Sequence, residues 1–198
     1  SAVCLANFGF RTACLAPVGD DHNGRLIKDN LRVRGVSARL VQTVKGHESG
    51  SSFVLIAPSG ERIIFAQRGA NSQLVIGSSQ LDSVRQAKNI YIASLAGAWE
   101  ANLKKVFRVI RPEQKVFWNP GMTQLLGGLE GLSGFLKKVT VLAINQDEAT
   151  ELVVRLAAYK KKGRAFLDEP ENLLKAIHAA GPRLVVITRG PDGVIAYD

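Results

Sequence analysis

Short, almost wholly apolar runs recur along this chain, and stretches with helical spacing separate them. Residues 90–94 (IYIAS), Lys115–Trp118 (KVFW), 140–144 (TVLAI) and Leu184–Thr188 (LVVIT) read as buried strands. Residues 12–18 form a further short apolar strand. Between these, 24–34 reads as a helix with Leu26, Ile27 and Leu31 on one face and Gly35 as its stop. Residues 79–87 read as a short helix capped by Ser79, and 99–110 as one that ends before Pro112. Residues 147–159 and 171–180 complete the set, the last closed by Gly181-Pro182, and the opening SAVCLANFGF has the look of a helix interior. Strands that alternate with helices of this length need crossover connections. The expected architecture is therefore α/β, a mainly parallel sheet with helices on both faces.

One segment departs from the alternation. Residues 51–65 (SSFVLIAPSGERIIF) are two β-rich runs around Pro58-Ser59-Gly60, a turn signal, and predict a hairpin with no helix. In an α/β protein such a hairpin is either a plain surface feature or a flap over a ligand, and the residues alone leave both readings open.

Composition narrows the functional classes. No run of about 18 apolar residues exists, so no membrane partner is expected, and the first ten residues lack a signal-peptide pattern. Cys4 and Cys14 make neither a disulfide framework nor a zinc site and read as small buried residues of a reducing cytoplasm. His22, His47 and His178 have no ligand spacing. The net charge is +9 with a pI near 9.8, which would suit a nucleic acid. The basic residues are scattered, however: Lys104-Lys105, Lys137-Lys138, Lys160-Lys161-Lys162 and single arginines. Lys160–162 follow an apolar helical stretch, where cations suit a helix C-terminus. Solvated helix ends explain the charge, no nucleic-acid partner is expected, and the general positive field favours an anionic ligand such as a nucleotide.

In open parallel sheets, ligands bind beyond the carboxyl ends of the strands. After KVFW comes Asn119-Pro120-Gly121; after TVLAI comes Asn145-Gln146-Asp147-Glu148; after LVVIT comes Arg189-Gly190-Pro191-Asp192-Gly193. Glu148 falls in the first turn of the following helix, where the dipole favours an anion. It reads either as a helix-start carboxylate with Asp147 as companion or as a residue ordering the waters of a Mg²⁺ ion, which needs few protein carboxylates. The turn at 188–193 reads either as a simple Pro-Asp-Gly turn or as a phosphate cradle whose glycines permit close backbone approach. Neither a P-loop nor a G-x-G-x-x-G fingerprint occurs.

Taken in order, these pieces resemble the ribokinase-like (PfkB-type) carbohydrate and nucleoside kinases. The segment FGFRTACLAPVGDDHNGRLIKDNLRVRGVS carries Gly9, Gly19, Asp20, Asp21, Gly24, Gly35 and Val36 in the family's order. SGSSFVLIAPSGERIIFAQRGAN resembles the lid hairpin closing on Gly69, Ala70 and Asn71, FWNPG the strand ending in Asn-Pro, and AINQDEATEL the Asn-x-x-Glu motif. VVITRGPDGVIAYD resembles the nucleotide-side T-x-G-x-x-G turn. The resemblance implies a single ribokinase-like domain over 1–198 with a lid inserted at about 37–70, and transfer of the γ-phosphoryl of ATP to a hydroxyl of a sugar, sugar phosphate or nucleoside. Asn145 and Glu148 would arrange Mg²⁺ and phosphate oxygens, with Glu148 the metal residue; Thr188, Gly190 and Gly193 would line the nucleotide site. The lid would cover the sugar and exclude water, and a homodimer pairing through lid sheets is expected.

The departures from the family pattern carry expectations too. The family's Gly-Gly…Asn sugar motif is absent, and so is Gly-Ala-Gly-Asp, whose aspartate is the family's catalytic base. The resemblance implies that this aspartate lies beyond Asp198. The expectation is an internal piece of a kinase, inactive alone, with no catalytic residue among its 198. Ala96 stands where ribokinases tend to carry a sugar-holding glutamate, which weakens a ribose assignment. The alternative is a non-catalytic nucleotide or sugar sensor on the same scaffold.

Overall fold

A computed structural model describes residues 1–156 and 163–198. The chain separates into two compact units, one of 1–80 with 96–98 and the other of 81–95 with 99–198.

The first unit opens with helix α1 (Ala2–Asn7) and two short strands, β1 (Thr12–Ala13) and β2 (Pro17–Gly19). Residues 12–18 are thus two pieces rather than one strand: β1 pairs in parallel with β3 (Val36–Ser37), and β2 with β4 (Gln42–Val44). Between them runs α2 (His22–Val33), with Asp21 as its N-cap and Gly35, at φ +73°, just beyond its end. The expected apolar face of α2 stays open, with Leu26 53% and Ile27 40% exposed; Gly24 is the residue it buries. The hairpin forms as read: β5 (Ser51–Ile56) and β6 (Arg62–Gln67) pair antiparallel, with Phe53 opposite Phe65 and Leu55 opposite Ile63. A 3₁₀ turn at Gly69–Gln73 follows.

Helix α3 (Ser78–Gln86) straddles the division between units. It starts one residue earlier than expected, so Ser79 lies inside it, and the Gln80 side chain accepts from the Gly77 N–H at 3.1 Å.

The second unit is a five-stranded sheet. Its strands are β7 (Asn89–Ile92), β8 (Lys115–Trp118), β9 (Val141–Asn145), β10 (Leu184–Thr188) and β11 (Val194–Tyr197), adjacent in chain order. The first four are parallel and β11 pairs antiparallel on the edge. The crossovers carry α4 (Trp99–Val109), α5 (Met122–Leu125), α6 (Gly128–Leu136), α7 (Gln146–Val154), α8 (Gly163–Asp168) and α9 (Pro170–His178). The helix expected over 147–159 ends sooner, at Val154 with Arg155 as its C-cap, while residues 157–162, among them Lys160–162, lie outside the described residues.

The core of this unit joins Val116, Leu142, Ile144, Val185 and Ile187 of the sheet to Leu152, Leu173 and Ile177 of the helices, all buried. Trp118, Phe107 and Phe135 form an aromatic triad with centroids 5.1–6.2 Å apart in tilted and edge-on pairs, the arrangements favoured by ring quadrupoles. Helices α5 and α6 come from GMTQLLGGLEGLSGFLKK, whose glycines argue against a helix. Burial of Leu129, Leu132, Phe135 and Leu136 overrides that propensity.

The two cysteines depart from expectation. Cys4 is exposed and Cys14 half-buried, both free, and burial pushes the Cys14 thiol up from its ordinary pKa. Among the described residues no helix is long and apolar enough to cross a membrane.

Candidate functional site

The parallel register of the sheet draws the sequence-predicted residues together. Asn145 and Thr188 are direct neighbours across β9 and β10, each the last residue of its strand. Trp118 pairs with Leu142 one strand away, so Asn119-Pro120-Gly121 leaves the same edge. The Asn119 side chain donates to the Ala143 carbonyl at 2.7 Å, and its N–H to the Ile92 carbonyl at 2.9 Å. Three strand ends are thereby tied into one rim.

At the centre, Asn145 and Glu148 form a reciprocal capping box. Asn145 Oδ1 accepts from the Glu148 N–H at 2.8 Å, and the Asn145 N–H donates to Glu148 Oε2 at 2.9 Å. Asn-x-x-Glu thus opens α7 because it satisfies donors that a helix start otherwise leaves unpaired. Asn145 is exposed and Glu148 half-buried, and among the described residues no hydrogen bond or ion pair engages Glu148 Oε1. No group of three or more His, Cys, Asp or Glu side chains that could hold a metal ion occurs among the described residues. One partly exposed carboxylate beside an amide at a strand end fits Mg²⁺, which retains most of its water.

The turn after β10 is a short 3₁₀ segment, Gly190–Asp192. Gly190 at φ +57° and Gly193 at φ +83° occupy the left-handed region, which is why glycine stands at each. A Cβ at either would meet nothing within 4 Å, so the backbone there is open to an approaching group. Three of the turn's amides are spoken for: Arg189 N donates to Gly193 O, Asp192 N to Arg189 O and Gly193 N to Gly190 O. The phosphate cradle expected from free amides is therefore narrower, and polar side chains matter more. Arg189, to which the turn's sequence alone gives no role, is prominent. Its Nε donates to Gln146 Oε1 at 3.2 Å, and its guanidinium lies 3.7 Å from the Asp192 carboxylate. It links the turn to the start of α7, 43 residues away in the chain, so no local spacing could reveal it.

Asp198 stands apart from this rim. It follows Tyr197, which pairs with Val185 near the start of β10 because β11 runs antiparallel. The strand order thus carries the exposed Asp198 to the edge of the sheet opposite Thr188, where its carboxylate cannot serve the rim as a base.

Gln124 completes the rim from beneath. Fully buried, it donates to the Leu95 carbonyl at 2.7 Å and accepts from the Gly121 N–H at 3.0 Å. A Cβ on Gly121 would collide with the Ser94 hydroxyl.

The first unit has its own polar knot. Asp21 Oδ1 accepts from the Gly24 N–H at 2.7 Å and from the Ser49 hydroxyl at 2.7 Å, and Oδ2 accepts from the Ser49 N–H at 2.8 Å. Ser49 Oγ in turn accepts from the Gly19 N–H at 3.0 Å. The Ser49 hydroxyl, then its backbone N–H, then that of Gly24 hold the Asp21 carboxyl below the usual range. Gly19 and Gly24 stand where a Cβ would strike backbone: Ser49 N and His47 O for the first, Gly19 O for the second. Gly69 packs against the Glu48 carbonyl in the same way.

Comparison with known proteins agrees with this architecture. The pfkB family carbohydrate kinase pattern matches residues 1–198. The chain is 28% identical over 147 residues to an uncharacterized sugar kinase of Archaeoglobus fulgidus, covering 73% of this chain and 58% of that one. It is 26% identical over 199 residues to a ribokinase of Haemophilus influenzae, covering 98% and 60%. The chain therefore spans about six tenths of the length of these curated relatives. Among solved structures, the fold is similar to Arabidopsis thaliana ribokinase complexed with ribose and ATP, at a TM-score of 0.78 and 20% identity, covering 99% of this chain and 61% of that one. It is equally similar to Halothermothrix orenii fructokinase, at 0.78 and 20%, covering 100% and 69%. With the motifs in family order, the parallel sheet beneath them and a match from first residue to last, the chain belongs to the pfkB family of carbohydrate kinases.

Proposed function

We propose that the native protein containing these residues transfers the γ-phosphoryl group of ATP to a hydroxyl of a sugar, sugar phosphate or nucleoside, in the cytoplasm. The observation that carries this reading is the juxtaposition of Asn145 and Glu148 with the Thr188–Gly193 turn on one strand-end rim, in a chain of this family. Thr188, Gly190 and Gly193 line the nucleotide, and Arg189 adds a cation beside its phosphates. Glu148, through its free carboxylate oxygen, and Asn145 hold water and phosphate oxygens around Mg²⁺. That ion, when bound, offsets phosphate charge.

The hairpin acts as the lid. Its apolar side chains are open on both faces, with Phe53 65%, Ile63 62% and Phe65 58% exposed on one and Ile56 72% and Ile64 56% on the other. Lone surface hairpins seldom carry so much uncovered apolar area, and a hairpin that closes over a sugar and pairs with a second copy gives it cover.

The test is nucleotide turnover by the native gene product with a panel of pentoses, hexoses, their phosphates and nucleosides. ADP formation that depends on one acceptor class is expected. ATP binding with no acceptor-dependent turnover would instead favour a sensor. The 198-residue chain alone is expected to give no acceptor-dependent ADP, since no Gly-Ala-Gly-Asp base segment occurs in it.

A further inference from the structure

The opposite edge of the second unit's sheet gathers charge that the sequence scatters. Beneath the amino-terminal ends of β8, β9 and β10 lies a cleft of about 390 Å³, within the span of small-molecule sites, about 300–1,000 Å³. Five cationic residues line it: Arg111, Lys115, Lys137, Lys138 and Arg183. Arg111 is paired, with Glu113 at 3.2 Å, and Lys138 Nζ donates to the Phe107 carbonyl at 2.8 Å. Among the described residues, no carboxylate forms an ion pair with Lys115, Lys137, Lys138 or Arg183. Like charges brought together without a counter-charge repel one another. A bound anion removes that repulsion.

The cleft's walls are built rather than incidental. Buried Gln114 accepts from the Arg111 N–H at 2.7 Å and donates to the Val84 carbonyl at 2.8 Å and to the Ala87 carbonyl, pinning the turn between α4 and β8. Backbone amides here are already engaged: Lys115 N with Lys88 O, Arg183 N with Val139 O, Leu184 N with Thr140 O. Recognition must then come from the charged side chains, which selects for anions. Ile110, Pro112 and Val139 add an apolar wall that suits a carbon skeleton.

We infer that this cleft binds a small phosphate-bearing molecule, at the end of the strands opposite the nucleotide turn. Its dimensions suit a phosphate ester better than a polymer, and the unpaired cations supply the charge. Occupancy there would load the starts of the strands whose far ends carry Asn119, Asn145 and Thr188.

The test is titration of the 198-residue chain with inorganic phosphate, inorganic pyrophosphate and ribose 5-phosphate, followed by backbone amide NMR. Saturable shifts confined to 110–115, 137–140 and 181–184 are expected, distinct from any at 188–193. The double variant Lys137→Gln/Arg183→Gln, both exposed and outside the nucleotide rim, is expected to weaken binding about ten-fold or more, the scale of one lost charge-assisted hydrogen bond. Its thermal melt, run in parallel, reports that it still folds. Tighter binding of ribose 5-phosphate than of phosphate identifies an organic phosphate as occupant; the reverse order identifies inorganic phosphate. Absence of saturable shifts in the cleft overturns the inference. So does binding that the double variant leaves unchanged. Shifts there with a single-stranded oligonucleotide and none with the three phosphates would also overturn it, marking a nucleic-acid surface.

Discussion

Asn145 and Glu148 hold each other through two hydrogen bonds, 2.8 and 2.9 Å, that start helix α7 at the strand-end rim. The same pair is thus both a fold element and the proposed Mg²⁺ site, and substitution separates the two roles. Gln at position 148 can still accept from the Asn145 N–H, so Glu148→Gln should change stability by less than about 0.5 kcal/mol. Asn145→Ala, which loses the cap, should cost about 1 kcal/mol. In the native gene product, Glu148→Gln is expected to lower Mg²⁺-dependent turnover strongly at unchanged stability. Full activity in that variant would remove Glu148 from the metal role.

The Asp21 knot gives a pH signature. Its carboxyl titrates lower in the folded chain than the ordinary 3.8. The stabilisation it confers is therefore fully present above that value and is lost as pH falls through the lower, folded pKa. Denaturant melts from pH 7 to pH 3 should show a steeper acid loss for the wild type than for Asp21→Asn. In Ser49→Ala, which removes the leading donor, the Asp21 carboxyl resonance should titrate closer to its ordinary value. An unmoved titration would mean that the hydroxyl contributes nothing.

Two glycine substitutions should act in opposite directions. Gly19→Ala would drive a methyl group into the backbone of Ser49 and His47, and overpacking against backbone costs about 1–3 kcal/mol or more. Gly131 lies inside α6 with nothing within 4 Å of a Cβ. Gly131→Ala should stabilise by about 0.5–1 kcal/mol through helix propensity. Thermal melts of the two variants check both signs.

Trp118 is almost fully buried, and its indole N–H has no hydrogen-bond partner among the described residues. Trp118→Phe removes that orphan donor, a gain of about 1–3 kcal/mol, against a partly emptied site. It should be near neutral, whereas Trp118→Ala should cost about 3–5 kcal/mol. A Phe variant as unstable as the Ala variant would show that packing alone holds the position.

The hairpin predicts association. Phe53 and Phe65 face each other across β5 and β6 and are both exposed. Sedimentation should show a dimer that Phe53→Glu/Phe65→Glu converts to monomer. A monomeric wild type would sink the pairing.

Much of this protein was legible before folding. The alternation of buried strands and helices is a local property, set by the burial of both sheet faces, and it led to the right architecture. Asn-x-x-Glu and T-R-G-P-D-G lie within single turns, so their backbone roles are local too. Helices α5 and α6 were not legible, because Gly127, Gly128, Gly131 and Gly134 speak against a helix that only the burial of Leu129, Leu132 and Leu136 enforces. The open face of α2 and the exposure of Cys4 were misjudged for the converse reason: apolar spacing shows which residues favour burial, and packing decides which obtain it.

By itself, then, the sequence determined the order of elements, the hairpin and the residues at each strand end, since these follow from short-range periodicity and turn chemistry. Tertiary structure alone decided which distant residues meet. It set Asn145 beside Thr188, tied Arg189 to Gln146, closed Asp21 on Ser49 and drew Arg111, Lys137 and Arg183 around one cleft. Those meetings depend on strand register and crossover path, which are fixed by the burial of a shared core and leave no mark in any local stretch of chain.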